Sequence, residues 1–130
     1  MHILSNNLYT IYDIKIYLYV NYLMKMQYLS DLHIELMHKN NFKILCYKIV
    51  PKCDILVLAG DIGNPLHQNY KSFLQLVGDK FKKVFLVMGN HEYYKNDIVK
   101  ANDHVREICS SRSNLSFWII PRNYMMEFVL

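Results

Sequence analysis

The stretch VFLVMGNHEYYK, from Val84 to Lys95, decides the fold because an apolar strand and a polar turn meet within it. Its first five residues form a continuous run that favours a strand, and the lack of alternation is typical of a strand buried on both faces. A glycine ends the run, and Asn90, His91 and Glu92 follow it directly. A turn requires only Gly and Asn, so the His and Glu indicate a function at this strand end.

Two other apolar runs of the chain share this design. Met26 to Leu29 (MQYL) is followed by Ser-Asp-Leu-His, and Ile55 to Ala59 (ILVLA) is followed by Gly-Asp-Ile-Gly. Leu115 to Ile120 (LSFWII) predicts a further strand. Helical patterns lie between these runs, and strands that alternate with helices predict βαβ units. We therefore expect an α/β fold with a mainly parallel sheet.

Two segments show the apolar spacing of helices. The first has Pro65 near its start and Gly78 just beyond its expected end, and the second follows the third strand. The apolar positions are Leu66, Tyr70, Phe73, Leu74 and Val77 in the first segment, and Ile98, Ala101, Val105 and Ile108 in the second. The stretch from Glu35 to Pro51 has a weaker pattern, which allows a short helix ending near Tyr47.

Composition limits the class of protein. A chain of 130 residues is long enough for one domain or part of one. The net charge of +4 comes from scattered Lys, so nucleic-acid binding is not specifically indicated. The three cysteines have no zinc-type spacing, which favours a reducing, intracellular setting. No uncharged run approaches the roughly 20 apolar residues of a membrane span.

The strand ends predict a metal site. Functional groups of open α/β sheets collect at the carboxyl ends of the strands, where neighbouring runs of this chain would bring five side chains together. These side chains are Asp31, His33, Asp61, Asn90 and His91. Such a mixed set of O and N ligands suits Mn, Fe or Zn, and two ions can share one bridging carboxylate. Two metals about 3.5 to 4 Å apart can activate water and stabilise both oxygens of an in-line displacement at phosphorus.

Three sequence blocks resemble the signature motifs of a known family. YLSDLHIEL, ILVLAGDIG and VFLVMGNHEYY are similar to the D-x-H, G-D and G-N-H-E/D blocks of the calcineurin-like metallophosphoesterases, over roughly Met24 to Ile120. They stand in the family's order, with 30 positions from Asp31 to Asp61 and 29 from Asp61 to Asn90. The resemblance implies the first βαβ units of a metallophosphoesterase-type β-sandwich with flanking helices.

The resemblance also implies a role for each matching residue. Asp31 and His33 correspond to ligands of the first metal, Asp61 to the bridging carboxylate, and Asn90 to a ligand of the second metal. The implied cofactors are therefore two divalent ions, of Mn, Fe or Zn. The implied substrate is a phosphomonoester or a phosphodiester.

Two more residues receive catalytic roles from the resemblance. His91 corresponds to the histidine that lies beside the substrate phosphate, where it stabilises the transition state or protonates the leaving group. Glu92 stands where an acidic residue orients that histidine. Both roles follow from the G-N-H-E block alone.

The family's later motifs, a histidine after a further strand and a G-H-x-H block, have no match in this sequence. Residues 24–130 are therefore predicted to be the N-terminal part of a metallophosphoesterase domain, preceded by an extension over residues 1–23. The main hypothesis is a metal-dependent phosphoesterase with an incomplete site. The alternative is a catalytically inactive truncated remnant or a weak metal-binding module that holds a single ion.

Overall fold

The computed structural model describes residues 25–119, which form four strands, four α-helices and one 3-10 turn. In chain order these are β1 Met26–Leu29, the 3-10 turn Ile34–Leu36, α1 Lys39–Lys48, β2 Ile55–Ala59, α2 Gln68–Lys80, β3 Lys83–Val87, α3 Asn90–Tyr93, α4 Ile98–Ser110 and β4 Leu115–Trp118. The division of the chain at residue 24 stays a prediction, because residues 1–23 lie outside the described part.

The four strands form one sheet in the order β1-β2-β3-β4. Every neighbouring pair is parallel, and the register aligns Leu29 with Leu58 and Leu58 with Leu86. This arrangement confirms the predicted α/β fold and its parallel sheet. Since the strands run in register, their carboxyl ends meet at one edge, where the three polar blocks of the sequence follow.

The hydrophobic core lies on one face of the sheet. Tyr70, Phe73 and Leu74 of α2 are fully buried together with the strand residues Leu56 and Leu58. Burial of each such side chain contributes about 1.5 to 3 kcal/mol to folding. Helix α2 packs against β3 and helix α4 against β4, and their buried side chains join these strand residues in one core.

The opposite face of the sheet is less buried than the sequence predicted. Continuous apolar runs predicted strands buried on both faces, but burial alternates along β1, β2 and β3. The side chains of the second face are half-buried or exposed, and Trp118 at its edge is 57% exposed. The prediction was wrong for the described residues because burial of the second face depends on what packs there, which a run of apolar residues does not specify.

The second correction concerns the end of α2. Gly78 was expected just beyond the helix, but it is buried inside it, and the helix continues to Lys80. The reason is packing, since the side-chain amide of Asn114 donates to the Gly78 carbonyl oxygen at 2.7 Å. Lys80 then donates through Nζ to the carbonyl oxygens of Cys46 and Ile49 at the end of α1, at 2.6 and 2.8 Å.

Other element bounds lie close to prediction. Strands β1 and β2 have the expected bounds, and β3 begins and ends one residue earlier than expected, at Lys83 and Val87. The weak pattern between Glu35 and Pro51 holds α1, which ends at Lys48. Among residues 25–119, no helix has the length and apolar content needed to cross a membrane.

Candidate metal centre

The loops that follow β1 and β2 continue to pair beyond the strands. The backbone N–H of Asp31 donates to the carbonyl oxygen of Gly60 at 3.1 Å, and that of His33 donates to the carbonyl oxygen of Asp61 at 3.2 Å. These bonds extend the parallel register by several residues. They bring the D-x-H block and the G-D block side by side at the carboxyl edge of the sheet.

The backbone is strained at this edge. Asp31, His33 and Asp61 have positive φ angles of 55°, 49° and 54°, in the left-handed region. Among the described non-glycine residues, the other positive φ belongs to Lys95. Left-handed conformations at such residues cost about 1 to 3 kcal/mol each and concentrate at functional sites. Three of the predicted metal ligands therefore share an uncommon backbone conformation.

Three of the predicted site residues come together as a group that can hold an ion. His33, Asp61 and His91 each offer one ligand atom, and these atoms all lie within 4.8 Å of one another. The two imidazole rings are 4.5 Å apart at their centroids and inclined by 65°. Because N and O ligands lie about 2.0 to 2.2 Å from a zinc-type ion, atoms bound to one ion are at most about 4.4 Å apart. Small side-chain adjustments therefore suffice for joint coordination.

The chemistry of the group fits a divalent cation. The Nδ1 atom of His33 is buried and has no hydrogen-bond partner among residues 25–119. A buried polar atom without a partner costs about 1 to 3 kcal/mol, and an unprotonated imidazole nitrogen presents a lone pair suited to a metal. Two imidazoles and one carboxylate make a donor set that Mn, Fe and Zn all accept.

Asp61 is held in place from several directions. Its Oδ1 accepts a hydrogen bond of 2.9 Å from the backbone N–H of His91. Its own backbone N–H donates to Glu92 Oε2 at 3.0 Å. The carboxylate is therefore fixed between the loops after β2 and β3.

Asp31 and Asn90 lie at the rim of the site. Both residues are exposed, and the carboxylate of Asp31 stands outside the group formed by His33, Asp61 and His91. Asn90 is the first residue of α3, directly before His91. Their assignment as ligands of the first and second metal remains a prediction.

Glu92 differs from its expected contacts. Its carboxylate is fully buried and accepts hydrogen bonds from the backbone N–H groups of Asp61, Ile62 and Gly89, at 3.0, 2.8 and 2.9 Å. The resemblance implied a contact with the side chain of His91, but the bonds of Glu92 go to backbone. Burial raises the pKa of the Glu92 carboxyl, and the hydrogen bonds from backbone N–H groups partly oppose that rise.

Two glycines allow the loops to approach. A Cβ atom at Gly89 would lie 2.3 Å from Asp61 Oδ1, which is less than any van der Waals contact. Gly60 has a φ of 91°, and a Cβ there would lie 3.2 Å from the Cα and N of Gly89. Side chains at these positions would thus separate the loops that carry Asp61 and His91.

The two tyrosines after Glu92 have different environments. Tyr93 is half-buried against the core, and its hydroxyl donates to Asn102 Oδ1 at 2.7 Å. Tyr94 is 66% exposed, and its ring stacks on that of His91 with centroids 6.1 Å apart. Packing therefore accounts for Tyr93, while Tyr94 lies at the edge of the site.

Sequence patterns did not single out three polar residues that lie against the site. The side chain of Asn96 donates to Asn64 Oδ1 at 3.0 Å, and the backbone N–H of Asn64 donates to Glu35 Oε2 at 3.1 Å. Asn and Glu are ordinary loop residues, so their types carried no signal. Their only sequence cue is position, since Glu35 lies near the end of the first block, and Asn64 and Asn96 follow the second and third blocks within two residues.

Comparison with known proteins places the chain in a family. The sequence model described as calcineurin-like phosphoesterase matches residues 24–121. An uncharacterized protein of Acanthamoeba polyphaga mimivirus is 34% identical over 114 residues, which cover 78% of this chain and 39% of that protein. The chain therefore spans well under half the length of this relative.

A solved structure shows a similar fold. The crystal structure of a phosphopantetheinyl hydrolase from Mycobacterium tuberculosis aligns with a TM-score of 0.55 at 24% sequence identity, over 71% of this chain and 34% of that protein. At this identity the likeness concerns the fold alone. The family match covers most of the chain, including all three strand-end blocks. The chain therefore belongs to the calcineurin-like phosphoesterase family.

Proposed function

We propose that the chain takes part in the metal-dependent hydrolysis of a phosphate ester. The family implies divalent metal ions and phosphate-ester substrates in general. The observation that carries the proposal is the group formed by His33, Asp61 and His91, whose ligand atoms lie within 4.8 Å of one another at the carboxyl edge of the sheet. A mixed N and O donor set in this position suits hydrolytic first-row metals.

The proposed ligand assignment distributes the residues over two ions. In this assignment Asp31 and His33 would hold the first ion, Asn90 would hold the second, and Asp61 would be the ligand that both ions share. The unpartnered Nδ1 of His33 and the central position of Asp61 between two loops support this assignment. When bound, such ions polarise the phosphate and lower the pKa of a coordinated water.

His91 can reach an ion shared with His33 and Asp61, but its proposed role is to contact the substrate and not the metal. Its side chain is exposed at the edge of the site, close to His33 and Asp61. A protonated imidazole there donates a hydrogen bond to a phosphate oxygen, and it can transfer its proton to the leaving oxygen as the P–O bond breaks. Its backbone N–H, bonded to Asp61, keeps the histidine beside the bridging carboxylate.

The experiment is hydrolysis of p-nitrophenyl phosphate and of bis-p-nitrophenyl phosphate, with Mn²⁺, Zn²⁺ or Fe²⁺ added to the metal-free chain. We expect slow metal-dependent release of nitrophenol, because the sequence predicts an incomplete site, at a rate reduced at least about 100-fold in Asp61→Asn and His91→Ala. His104→Ala is the matched control, since this half-buried histidine lies on α4.

The two substrates, together with a measurement of Mn²⁺ binding by calorimetry, separate the possible results. Faster turnover of one substrate assigns the monoester or the diester class. A folded chain that hydrolyses neither substrate with any of the three ions contradicts the proposed function. If that chain still binds Mn²⁺, it is a metal-binding module, as the alternative hypothesis holds.

A further inference from the structure

We propose that Glu35, Asn64, Glu92 and Asn96 form a loop-linking cluster, which fixes the positions of the metal ligands without contacting metal or substrate. These residues join the three loops that follow β1, β2 and β3. The proposal rests on the metal site of the proposed function and adds a set of positioning residues to it. It also reassigns Glu92 from orienting His91 to holding the Asp61 loop.

Glu92 is the centre of the cluster. Its two carboxylate oxygens accept three backbone N–H groups, two from the loop after β2 (Asp61 and Ile62) and one from the loop after β3 (Gly89). The side chain is fully buried, so water does not compete for these bonds. Charge-assisted hydrogen bonds in such surroundings are roughly twice as strong as neutral ones. Glu92 therefore determines how far apart the Asp61 loop and the His91 loop lie.

Asn96 makes a second connection between the loops that follow β2 and β3. Its Nδ2 donates to Asn64 Oδ1 and to the carbonyl oxygen of Glu92, both at 3.0 Å. Asn64 lies three residues after Asp61, and its Oδ1 also accepts from the backbone N–H of Leu66 at 3.0 Å. The side chain of Asn96 thus ties the end of α3 to the loop that carries the bridging carboxylate.

Glu35 brings in the loop after β1. Its Oε2 accepts a hydrogen bond of 3.1 Å from the backbone N–H of Asn64. Glu35 follows His33 by two residues, within the 3-10 turn Ile34–Leu36. A Cβ atom at Gly63 would lie 2.8 Å from Glu35 Oε2, which shows how closely the two loops approach. The cluster therefore spans all three strand ends.

The chemistry of the cluster requires a carboxylate at position 92. Three converging N–H donors need acceptor atoms only, and an ionised carboxylate has no donor hydrogen. A glutamine of the same shape replaces one acceptor oxygen with an NH₂ group that faces these donors. Glu92→Gln therefore removes bonds without leaving a cavity, so it tests the cluster more directly than a truncation.

The first measurement is amide hydrogen exchange by NMR on the full chain without metal. We expect the amides of Asp61, Ile62 and Gly89 to be protected, and to exchange at least about tenfold faster in Glu92→Gln. The amide of Leu58 within β2 is expected to keep its rate. Glu107→Gln is the matched control, because this exposed carboxylate lies on α4.

The second measurement is the Mn²⁺ dissociation constant by calorimetry, with thermal unfolding as the check on folding. We expect Glu92→Gln to weaken Mn²⁺ binding at least about tenfold, and Asn96→Asp to weaken it severalfold, while both variants unfold cooperatively. If Glu92→Gln does not fold, Asn96→Asp decides, because it keeps the shape of the side chain and loses both of its donated bonds.

Two results overturn the proposal. One is fast exchange of the three amides in the unmodified chain, and the other is a folded variant that binds Mn²⁺ as tightly as the unmodified chain. Both results differ from the result that would contradict the proposed function. A chain with protected amides, and with Mn²⁺ binding that depends on Glu92, but without turnover, would contradict phosphoester hydrolysis alone.

Discussion

Gly89→Ala is expected to displace the carboxylate of Asp61, the proposed bridging ligand, while leaving the backbone conformation at residue 89 allowed. The added Cβ would lie 2.3 Å from Asp61 Oδ1, 2.8 Å from Asp61 N and 3.0 Å from Asp61 Cγ. Contact distances between carbon and its neighbours are about 3.5 Å, so the carboxylate must retreat by about 1 Å. Gly89 has φ −92° and ψ −170°, which alanine adopts without strain. Any change in Mn²⁺ binding by Gly89→Ala therefore comes from the steric contact between the added Cβ and Asp61.

The expected loss of Mn²⁺ affinity follows from the displacement of the Asp61 carboxylate. A retreat of about 1 Å breaks the bond between His91 N and Asp61 Oδ1 and moves one ligand of the group formed by His33, Asp61 and His91. Misplacement by about 1 Å costs about 100-fold in rate at an enzyme site. Overpacking in a close-packed region also lowers the free energy of unfolding, by about 1 to 3 kcal/mol. We expect Mn²⁺ affinity to fall at least about tenfold.

The assay compares Mn²⁺ binding by calorimetry in Gly89→Ala and in the matched control Gly78→Ala. At Gly78 the added Cβ would lie 2.8 Å from Nε and 3.1 Å from Cδ of Arg112, so this side chain, which pairs with Asp79, must shift. Because Gly78 is inside α2, alanine also gains up to about 1 kcal/mol of helix propensity. The control should bind Mn²⁺ normally. Equal Mn²⁺ affinity in the two variants would refute the steric argument.

Three further predictions concern stability and reactivity. Tyr70→Phe should raise the free energy of unfolding, measured by urea denaturation, by about 1 kcal/mol, because the buried Tyr70 hydroxyl has no hydrogen-bond partner among the described residues. A lower free energy of unfolding in this variant would contradict the prediction. Asp97→Ala should lower that free energy by about 1 kcal/mol, because its carboxylate accepts from two N–H groups at the start of α4, whereas Asp97→Asn keeps the cap. Burial raises the pKa of the Cys109 thiol from 9.0 to about 11, so its thiolate fraction at pH 8 falls about 100-fold. Iodoacetamide should therefore label Cys109 slowly at pH 8 and faster as the pH approaches 11, which mass spectrometry can follow. Rapid labelling of Cys109 in the folded chain at pH 8 would contradict the burial of its thiol.

The sheet was predictable because its strands end on strong local signals. Short apolar runs followed by Ser-Asp or Gly-Asp define β1 and β2 at their observed bounds. The side of the sheet that is buried was not predictable in the same way. Val57 and Leu58 are equally apolar in sequence, yet only Leu58 faces the helices and is fully buried. Tertiary packing decides between such neighbours, and local composition does not record it.

The site was predictable to the extent that its residues lie within the three blocks. His33, Asp61 and His91 meet as expected, because a parallel register brings successive strand ends to one edge. Two of the three contacts of Glu92 were not predictable, since the partners are the backbone N–H groups of Asp61 and Ile62, 31 and 30 positions earlier in the chain. Any residue supplies a backbone N–H, so no pattern of side chains marks such a partner.

The positive φ angles explain why the blocks are informative only in combination. Asp31 and His33 hold left-handed conformations, and their backbone N–H groups donate to Gly60 and Asp61 of the neighbouring loop. Strain of about 1 to 3 kcal/mol per residue persists only where the surroundings impose it. The pairing of the two loops imposes it here, so the D-x-H block has this backbone conformation only beside the G-D block. A single block can be an ordinary turn, whereas two blocks in register keep Asp31, His33 and Asp61 in left-handed conformations that neither block would keep alone.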